Sequence, residues 1–178
     1  MKLYPEMFIS KWHFIALGMI GIAWISLWLG GYDRKTILKS GIGATIMLYI
    51  IASLPIALIV HDRETVKENM ISRLDQHHTA RMESQYGGGQ NDINQLAAVA
   101  SSRRDDDGYV TYIFAGNYSE SFSFSGSLNV SVYDEQGELL HEESYEQIAL
   151  KPGEKVKIDQ FYSRRNADRY QYKFIYHK

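Results

Sequence analysis

Two long apolar runs dominate the N-terminal third of the chain. Residues 12–31 and 40–60 contain no Asp, Glu, Lys or Arg, and a mostly polar stretch, 32–39, separates them. A bilayer core about 30 Å thick is spanned by about 20 apolar residues, and a helix pairs its backbone polar groups internally. The pattern predicts a transmembrane helical hairpin over 12–60, preceded by a short tail, 1–11. No A-x-A-like cleavage site follows the first run, so we expect an uncleaved helix rather than a signal peptide.

Small residues recur along both predicted spans, and pairs of them four positions apart let helix backbones approach closely. The candidates for helix packing are Gly18, Gly21, Ser26, Gly30, Ser40, Ala44, Ser53 and Ala57. Packing of the two helices against each other explains these pairs, and so does binding of another membrane subunit. The sequence leaves both explanations open.

The next stretch, 61–108, is polar and carries a narrow apolar stripe. The stripe consists of Val66, Met70, Leu74 and His78. This spacing predicts that the second span continues as a helix to about Met82. The stripe suits a partner helix, another copy of the chain or the chain's own folded domain. Three glycines at 87–89 predict a flexible joint, and the apolar positions of 91–102 predict a short amphipathic helix.

From residue 109 to the end, apolar and polar residues alternate with period two. Short runs of this kind predict strands with one buried face, and we count six or seven of them in 109–178. An antiparallel β-sandwich suits such spacing. The predicted fold is therefore a membrane α-helical hairpin joined by a helical stalk to an all-β sandwich.

One strand and two turns of this region form a recognisable pattern. Residues 130–134 read VSVYD, Gln-Gly-Glu follows at 136–138, and Leu-Lys-Pro-Gly-Glu at 150–154 precedes KVKI. These residues resemble the bacterial immunoglobulin-like domains named for a Phe-x-Leu-Tyr-Asp motif, although Val130 and Val132 replace the Phe and the Leu. The resemblance covers the whole β region. It implies an immunoglobulin-like sandwich that serves as a non-catalytic binding or spacer domain, usually outside the cell membrane.

Composition and motifs narrow the function mainly by exclusion. The net charge of −2 provides no basic field for nucleic acid, and the chain has no Cys for disulfides, thiolate metal sites or thiol nucleophiles. It contains no hydrolase, metalloprotease, phosphate-loop or dinucleotide motif. His77 and His78 project about 100° apart on a helix, so we read them as surface histidines. His141 and Glu143 share one side of a strand as potential acid/base partners, but we favour a solvated sheet face. We expect no enzyme, no cofactor and no metal.

Basic residues leave the orientation in the membrane open. The predicted turn between the spans carries Arg34, Lys35 and Lys39. The other side of the hairpin carries Lys2, Lys11, Arg63, Lys67, Arg73 and Arg81. A count of basic residues places the larger group in the cytoplasm. The resemblance favours the reverse, with the β region outside the cytoplasm, and we adopt that orientation.

These features together favour an interaction protein. We predict a multi-pass cell-membrane protein that serves as a non-enzymatic accessory or assembly subunit of a bacterial membrane complex. Its expected partners are other membrane subunits and the lipid bilayer, with a homo-oligomer as a further possibility. A sensor whose sandwich binds a ligand is the first alternative, and a homo-oligomeric pore is the second. Uncharged spans argue against the pore, because they offer no polar conduction path.

Overall fold

The computed structural model of the chain describes residues 4–7, 10–84 and 92–176. The chain divides into two compact units, Met1–Val66 and Lys67–Lys178. The predicted glycine joint at 87–89 lies outside the described residues.

Two helices form most of the first unit. Helix α1 spans His13–Leu29, and helix α2 spans Arg34–Ser84 and ends in the second unit. The turn between them depends on Gly31, whose φ is 69°, a value that glycine adopts without strain. Asp33 then caps α2, because its side chain accepts hydrogen bonds from two backbone N–H groups of the first turn, each at 3.1 Å. The polar stretch 32–39 therefore lies mostly within α2 instead of forming a loop.

The apolar surface of these helices is largely exposed. Helix α2 is long and apolar enough, by length and composition, to cross a membrane, whereas α1 is apolar but has only 17 residues. Among the exposed large side chains are Phe14, Trp28, Met47, Leu58 and Ile59. Exposed apolar surface of this extent indicates membrane association. Helix α2 is also unbroken to Ser84, which confirms the predicted helical continuation to about Met82.

Six strands and the end of α2 make up most of the described part of the second unit. The strands are β1 (Leu96–Asp105), β2 (Gly108–Asn117), β3 (Phe124–Asp134), β4 (Leu139–Leu150), β5 (Lys155–Ser163) and β6 (Ala167–Tyr176). They pair as two antiparallel three-stranded sheets, with the orders β1-β2-β5 and β4-β3-β6. Antiparallel strands in the β region were predicted, and this part of the prediction is confirmed.

One apolar core lies between the two sheets. Its buried residues are Leu96, Ala98, Ile113 and Ala115 from the first sheet and Phe124, Leu128, Val130, Val132 and Leu150 from the second. The alternation along β3 follows from this arrangement, because every second side chain of a strand points to the same face.

The helix predicted over 91–102 is wrong, because β1 occupies most of that stretch. The first four residues of β1 are all buried, so the strand lacks the alternation that identifies a half-exposed strand. Ala97 pairs with Gly116 of β2, and the backbone of Gly116 lies against Leu74 of α2. Leu74 of α2 thus lies over the outer face of the β1–β2 pair at the level of Ala97, while the core covers the inner face. Pairing with β2 overrides the helical preference of an Ala-rich segment.

The strand count in 109–178 is also lower than the predicted six or seven. The described part of this range has five strands, because residues 139–150 form one long strand, β4, instead of two shorter ones. Gln147 has a φ of 58° and lies where the register between β3 and β4 shifts. A bulge of this kind lets a strand continue past an irregular residue.

Candidate functional site

Polar contacts join α1 to the first part of α2. His13 is buried, and its Nδ1 accepts a hydrogen bond from the Ser10 backbone N–H at 3.0 Å. The other ring nitrogen, Nε2, therefore carries the proton and donates it to Ser53 Oγ at 3.1 Å. Trp24 Nε1 donates to Thr45 Oγ1 at 3.0 Å near the other end of α1. The order of these contacts shows that the two helices run antiparallel.

The eight small residues predicted to pack lie on different faces of this pair. Ala44, Ser53 and Ala57 are half-buried. Those that are exposed are Gly18, Gly21, Ser26, Gly30 and Ser40. The pattern of small pairs missed Ala16 and Gly41, which are buried. Spacing alone identifies a stripe of small residues, whereas the contacts depend on how each helix is rotated toward the other.

We expect Gly41→Val to push the helices apart and lower the free energy of unfolding by about 1–3 kcal/mol, the usual cost of overpacking. A Cβ at Gly41 would lie 2.8 Å from Cε2 of Trp24, and the Thr45 hydrogen bond holds that ring in place. Gly43→Val is the matched control, because nothing lies within 4 Å of a Cβ at Gly43. Thermal unfolding in detergent measures both variants, and equal melting temperatures would contradict this packing.

The end of α2 packs on the sheets of the second unit. Leu74 is fully buried and Met70 nearly so, and a Cβ at Gly116 of β2 would lie 2.8 Å from Leu74 Cδ2. Of the three partners that the stripe left open, the chain's own β domain is therefore the one that Leu74 contacts. A glycine at position 116 is required for this close approach.

A second set of contacts surrounds Asp75. Its Oδ1 accepts hydrogen bonds from the Tyr118 hydroxyl at 2.5 Å and from Lys155 Nζ at 2.6 Å. Burial alone would raise the pKa of the Asp75 carboxyl, but the hydrogen bonds from Lys155 and Tyr118 lower it below its usual value. Burial and the bond to Asp75 raise the pKa of Tyr118. The His78 ring stacks on Tyr118 with 3.9 Å between ring centroids.

Arg81 makes the third contact between α2 and the sheets. Its Nη1 donates to the Tyr172 hydroxyl at 2.8 Å, and its Nη2 donates to the backbone oxygens of Leu96, at 2.8 Å, and Asn94. Three bonds from one guanidinium join α2 to the start of β1 and to β6.

The interpretation of His77 and His78 as surface histidines is wrong. Both are half-buried, and the His77 ring lies 5.8 Å from the Tyr172 ring. Burial, and next the charge of Arg81, lower the pKa of both imidazoles. They are therefore predominantly neutral at neutral pH. His78 continues the stripe of Val66, Met70 and Leu74, and this spacing was the signal for its burial. The spacing did not indicate that position 77, on the neighbouring face of the helix, would also be covered.

A cluster of four polar side chains lies at the edge where β4 of one sheet meets β5 of the other. The Tyr145 hydroxyl donates to Asp159 Oδ2 at 2.9 Å and lies 3.1 Å from His141 Nε2. Glu143 Oε2 is 3.4 Å from the same nitrogen. Burial, and next the hydrogen bond to Asp159, raise the pKa of Tyr145, so its hydroxyl stays protonated.

The solvated face predicted for His141 and Glu143 is wrong for the histidine, whose side chain is only 18% exposed. His141 pairs with the core residue Val132, and its ring stacks on Phe161 of β5 with 4.2 Å between centroids. His141, Glu143 and Tyr145 occupy every second position of β4, so the period of a strand is enough to bring these three members of the cluster to one side. Asp159 was missed, because it belongs to the other sheet.

A comparison with protein-family models finds no match, and neither does a comparison with curated proteins. Two solved structures show a distant likeness. A DUF1425 family member from Shewanella sp. pv-4 is 13% identical, with a TM-score of 0.35, and the alignment covers 47% of this chain and 79% of that one. The Salmonella enterica trimeric lipoprotein SadB is 14% identical, with a TM-score of 0.34, over 94% and 95% of the two chains. Likenesses at these TM-scores support no inference about function.

Proposed function

We propose that this chain is a non-enzymatic, multi-pass membrane protein that serves as an accessory or assembly subunit of a bacterial membrane complex. The observation that carries the proposal is the exposed, uncharged apolar surface of α1 and of 40–60 within α2. Such surface is stable in lipid and costly in water. With 17 residues, α1 lies at the lower limit for a span.

The polar contacts within the helix pair support this anchor. Ser53 and Thr45 receive the hydrogen bonds of His13 and Trp24, so these side chains have partners without contacting water. Polar groups in a bilayer are tolerated when neighbouring helices provide such partners. The same exposed surface leaves Gly18 open to the close approach of another membrane helix, since nothing lies within 4 Å of a Cβ there.

The β domain is proposed as the interaction module, with an immunoglobulin-like sandwich as its architecture. Support comes from the shared core of the two sheets and from the placement of β3 and β5 in opposite sheets. The resemblance implies that the strand that ends in Tyr-Asp, here β3, faces the strand that follows the Pro-Gly-Glu turn, here β5. The domain is expected outside the cytoplasm, where such modules usually lie. The non-enzymatic role rests on the absence of a catalytic motif in the sequence.

Extraction and purification of the full chain test this proposal. We expect the protein to stay in the membrane pellet after alkaline carbonate treatment and to require detergent for release. Purified in mild detergent from its native host, it is expected to carry another membrane protein at fixed stoichiometry. Release by carbonate would refute the anchor. A monomer without a partner, measured by native mass spectrometry, would refute the subunit role, and an assembly of identical chains would favour the homo-oligomer instead.

A sensor is the second candidate, and one observation favours it. The end of α2 contacts strands β1, β2, β5 and β6 through Leu74, Asp75 and Arg81. A ligand that changed the packing of these strands would therefore act directly on the helix. This candidate requires a ligand on the β domain, whereas the subunit proposal requires a protein partner.

A further inference from the structure

We propose that His141, Glu143 and Asp159 form a binding site for a divalent transition-metal ion of the Zn²⁺ class. One ligand atom from each residue, an imidazole nitrogen or a carboxylate oxygen, lies within 4.8 Å of the other two. The sequence predicted no metal site, because the three residues come from strands of two different sheets.

The cluster is held in place before any ion binds. The Phe161 ring lies against the His141 imidazole at an interplanar angle of 12°, which restricts rotation of the histidine. Asp159 is held by the Tyr145 hydroxyl at 2.9 Å. Ligands fixed by neighbouring groups lose little conformational freedom when a metal binds, and such supporting contacts usually surround metal sites.

The charge of the cluster favours a cation. Glu143 and Asp159 each carry a carboxylate, and within the described ranges neither forms a salt bridge with Lys or Arg. Two carboxylates that share one edge of a fold repel each other, and a divalent ion between them removes this repulsion.

The ligand set indicates which ions would bind. An imidazole nitrogen together with carboxylate oxygens suits Zn²⁺ and similar ions, whereas Mg²⁺ and Ca²⁺ favour oxygen ligands alone. Zinc binds nitrogen and oxygen at about 2.0–2.2 Å, so its ligand atoms lie about 3.4 Å apart in a tetrahedral site. The 3.4 Å between His141 Nε2 and Glu143 Oε2 already meets this spacing. The three ligand atoms lie up to 4.8 Å apart, so the carboxylates must rotate to bring their oxygens close enough to bind one ion. Glu143 is free to rotate because its side chain is 51% exposed.

Binding also requires a change of tautomer at His141. Tyr145 uses its only proton to donate to Asp159, so Nε2 of His141 donates its own proton to the Tyr145 oxygen. For Nε2 to bind a metal ion, this proton moves to Nδ1 by exchange with water, and the imidazole stays neutral. The bound ion would link β4 to β5 and thereby connect the two sheets at their open edge. Because only the folded chain brings these strands together, the ion would stabilise the folded state.

Isothermal titration of the full chain in detergent with ZnCl₂, in the presence of excess Mg²⁺, tests the site. We expect the wild type to bind one Zn²⁺ at this site and Glu143→Gln to bind it at least about tenfold more weakly, since even indirect ligand contacts are worth that much. Glu142→Gln is the matched control. Its carboxylate lies on the opposite side of β4, where it accepts a hydrogen bond from Ser131, and its affinity should equal that of the wild type.

Thermal unfolding provides a second readout that does not depend on the calorimetry. Zn²⁺ should raise the melting temperature of the wild type and of Glu142→Gln, and should not raise that of Glu143→Gln or Asp159→Asn. All four proteins should unfold at similar temperatures with EDTA, which separates a lost ion from a damaged fold. Equal Zn²⁺ affinities of Glu143→Gln and Glu142→Gln, or a folded wild type that binds no Zn²⁺, would overturn the proposal.

Discussion

Replacing Asp134 by Ala is expected to lower the free energy of unfolding of the second unit by about 3 kcal/mol, the usual cost of breaking a buried charged contact. Asp134 is only 3% exposed. Its Oδ1 accepts hydrogen bonds from the backbone N–H groups of Gln136 at 3.0 Å and Glu138 at 2.8 Å. Its Oδ2 pairs with Arg165 Nη1 at 2.5 Å. Denaturant unfolding of the full chain in detergent, followed by near-UV circular dichroism, measures the loss.

Two further variants separate the contributions of Asp134. Asp134→Asn keeps an acceptor for the turn N–H groups and loses only the charge, so we expect a smaller loss than for Ala. Glu135→Ala is the matched control, because Glu135 is exposed and surface substitutions usually change stability by less than about 0.5 kcal/mol. If Asp134→Ala were no less stable than Glu135→Ala, the turn would not depend on this carboxylate.

Replacing Arg81 by Ala is expected to detach the end of α2 from the sheets, at a cost of about 2–3 kcal/mol for three bonds made by a charged donor. The substitution removes the donors to Tyr172 and to the backbone oxygens of Asn94 and Leu96. Hydrogen exchange should accelerate along 67–84, because this segment would open locally while the strands stay paired. Mass spectrometry of peptides from 67–84 and from the strands measures the difference.

Arg73→Ala is the control for the Arg81 variant. Arg73 is exposed on the same helix, so its substitution should leave the exchange rate of 67–84 nearly unchanged. Arg81→Lys adds a third comparison, since a single ammonium group cannot reproduce the fork of the guanidinium. Unchanged exchange in Arg81→Ala would show that the contacts of Leu74 and Asp75 hold the helix without Arg81. It would also mean that the bond from Arg81 to β1 cannot carry the coupling that the sensor hypothesis requires.

Asp134 is the last residue of the VSVYD motif, and in the structure it is also a buried acceptor of hydrogen bonds. The resemblance to immunoglobulin-like domains identified the end of VSVYD and the turns that follow β3 and β4. In the structure, Gly137 and Gly153 of these turns have φ values of 82° and 72°, which explains why glycine stands at both positions. The sequence could identify these turns because turn geometry depends on a few adjacent residues. The sequence could not show that Arg165, from the connection between β5 and β6, forms a salt bridge with Asp134.

The Ala-rich strand β1, in contrast to these turns, could not be identified from the sequence. Its helical composition is a local property, whereas its burial on both faces results from β2, the core and Leu74 together. A segment that is covered on both sides loses the period-two pattern by which strands are recognised. The same limit applies to Gly41, whose importance depends on the Trp24 ring of the other helix.

By itself the sequence determined the two apolar helices, the continuation of α2, the strands after residue 109 and their glycine turns. These features follow from periodicity and from turn chemistry, which act over a few neighbouring residues. Only the tertiary structure decided that Leu74 packs on the β domain, that His77 and His78 are half-buried, and that Asp159 joins His141 and Glu143. The physical reason is that such contacts bring together residues distant in the chain, and their positions depend on which surfaces meet when the elements pack.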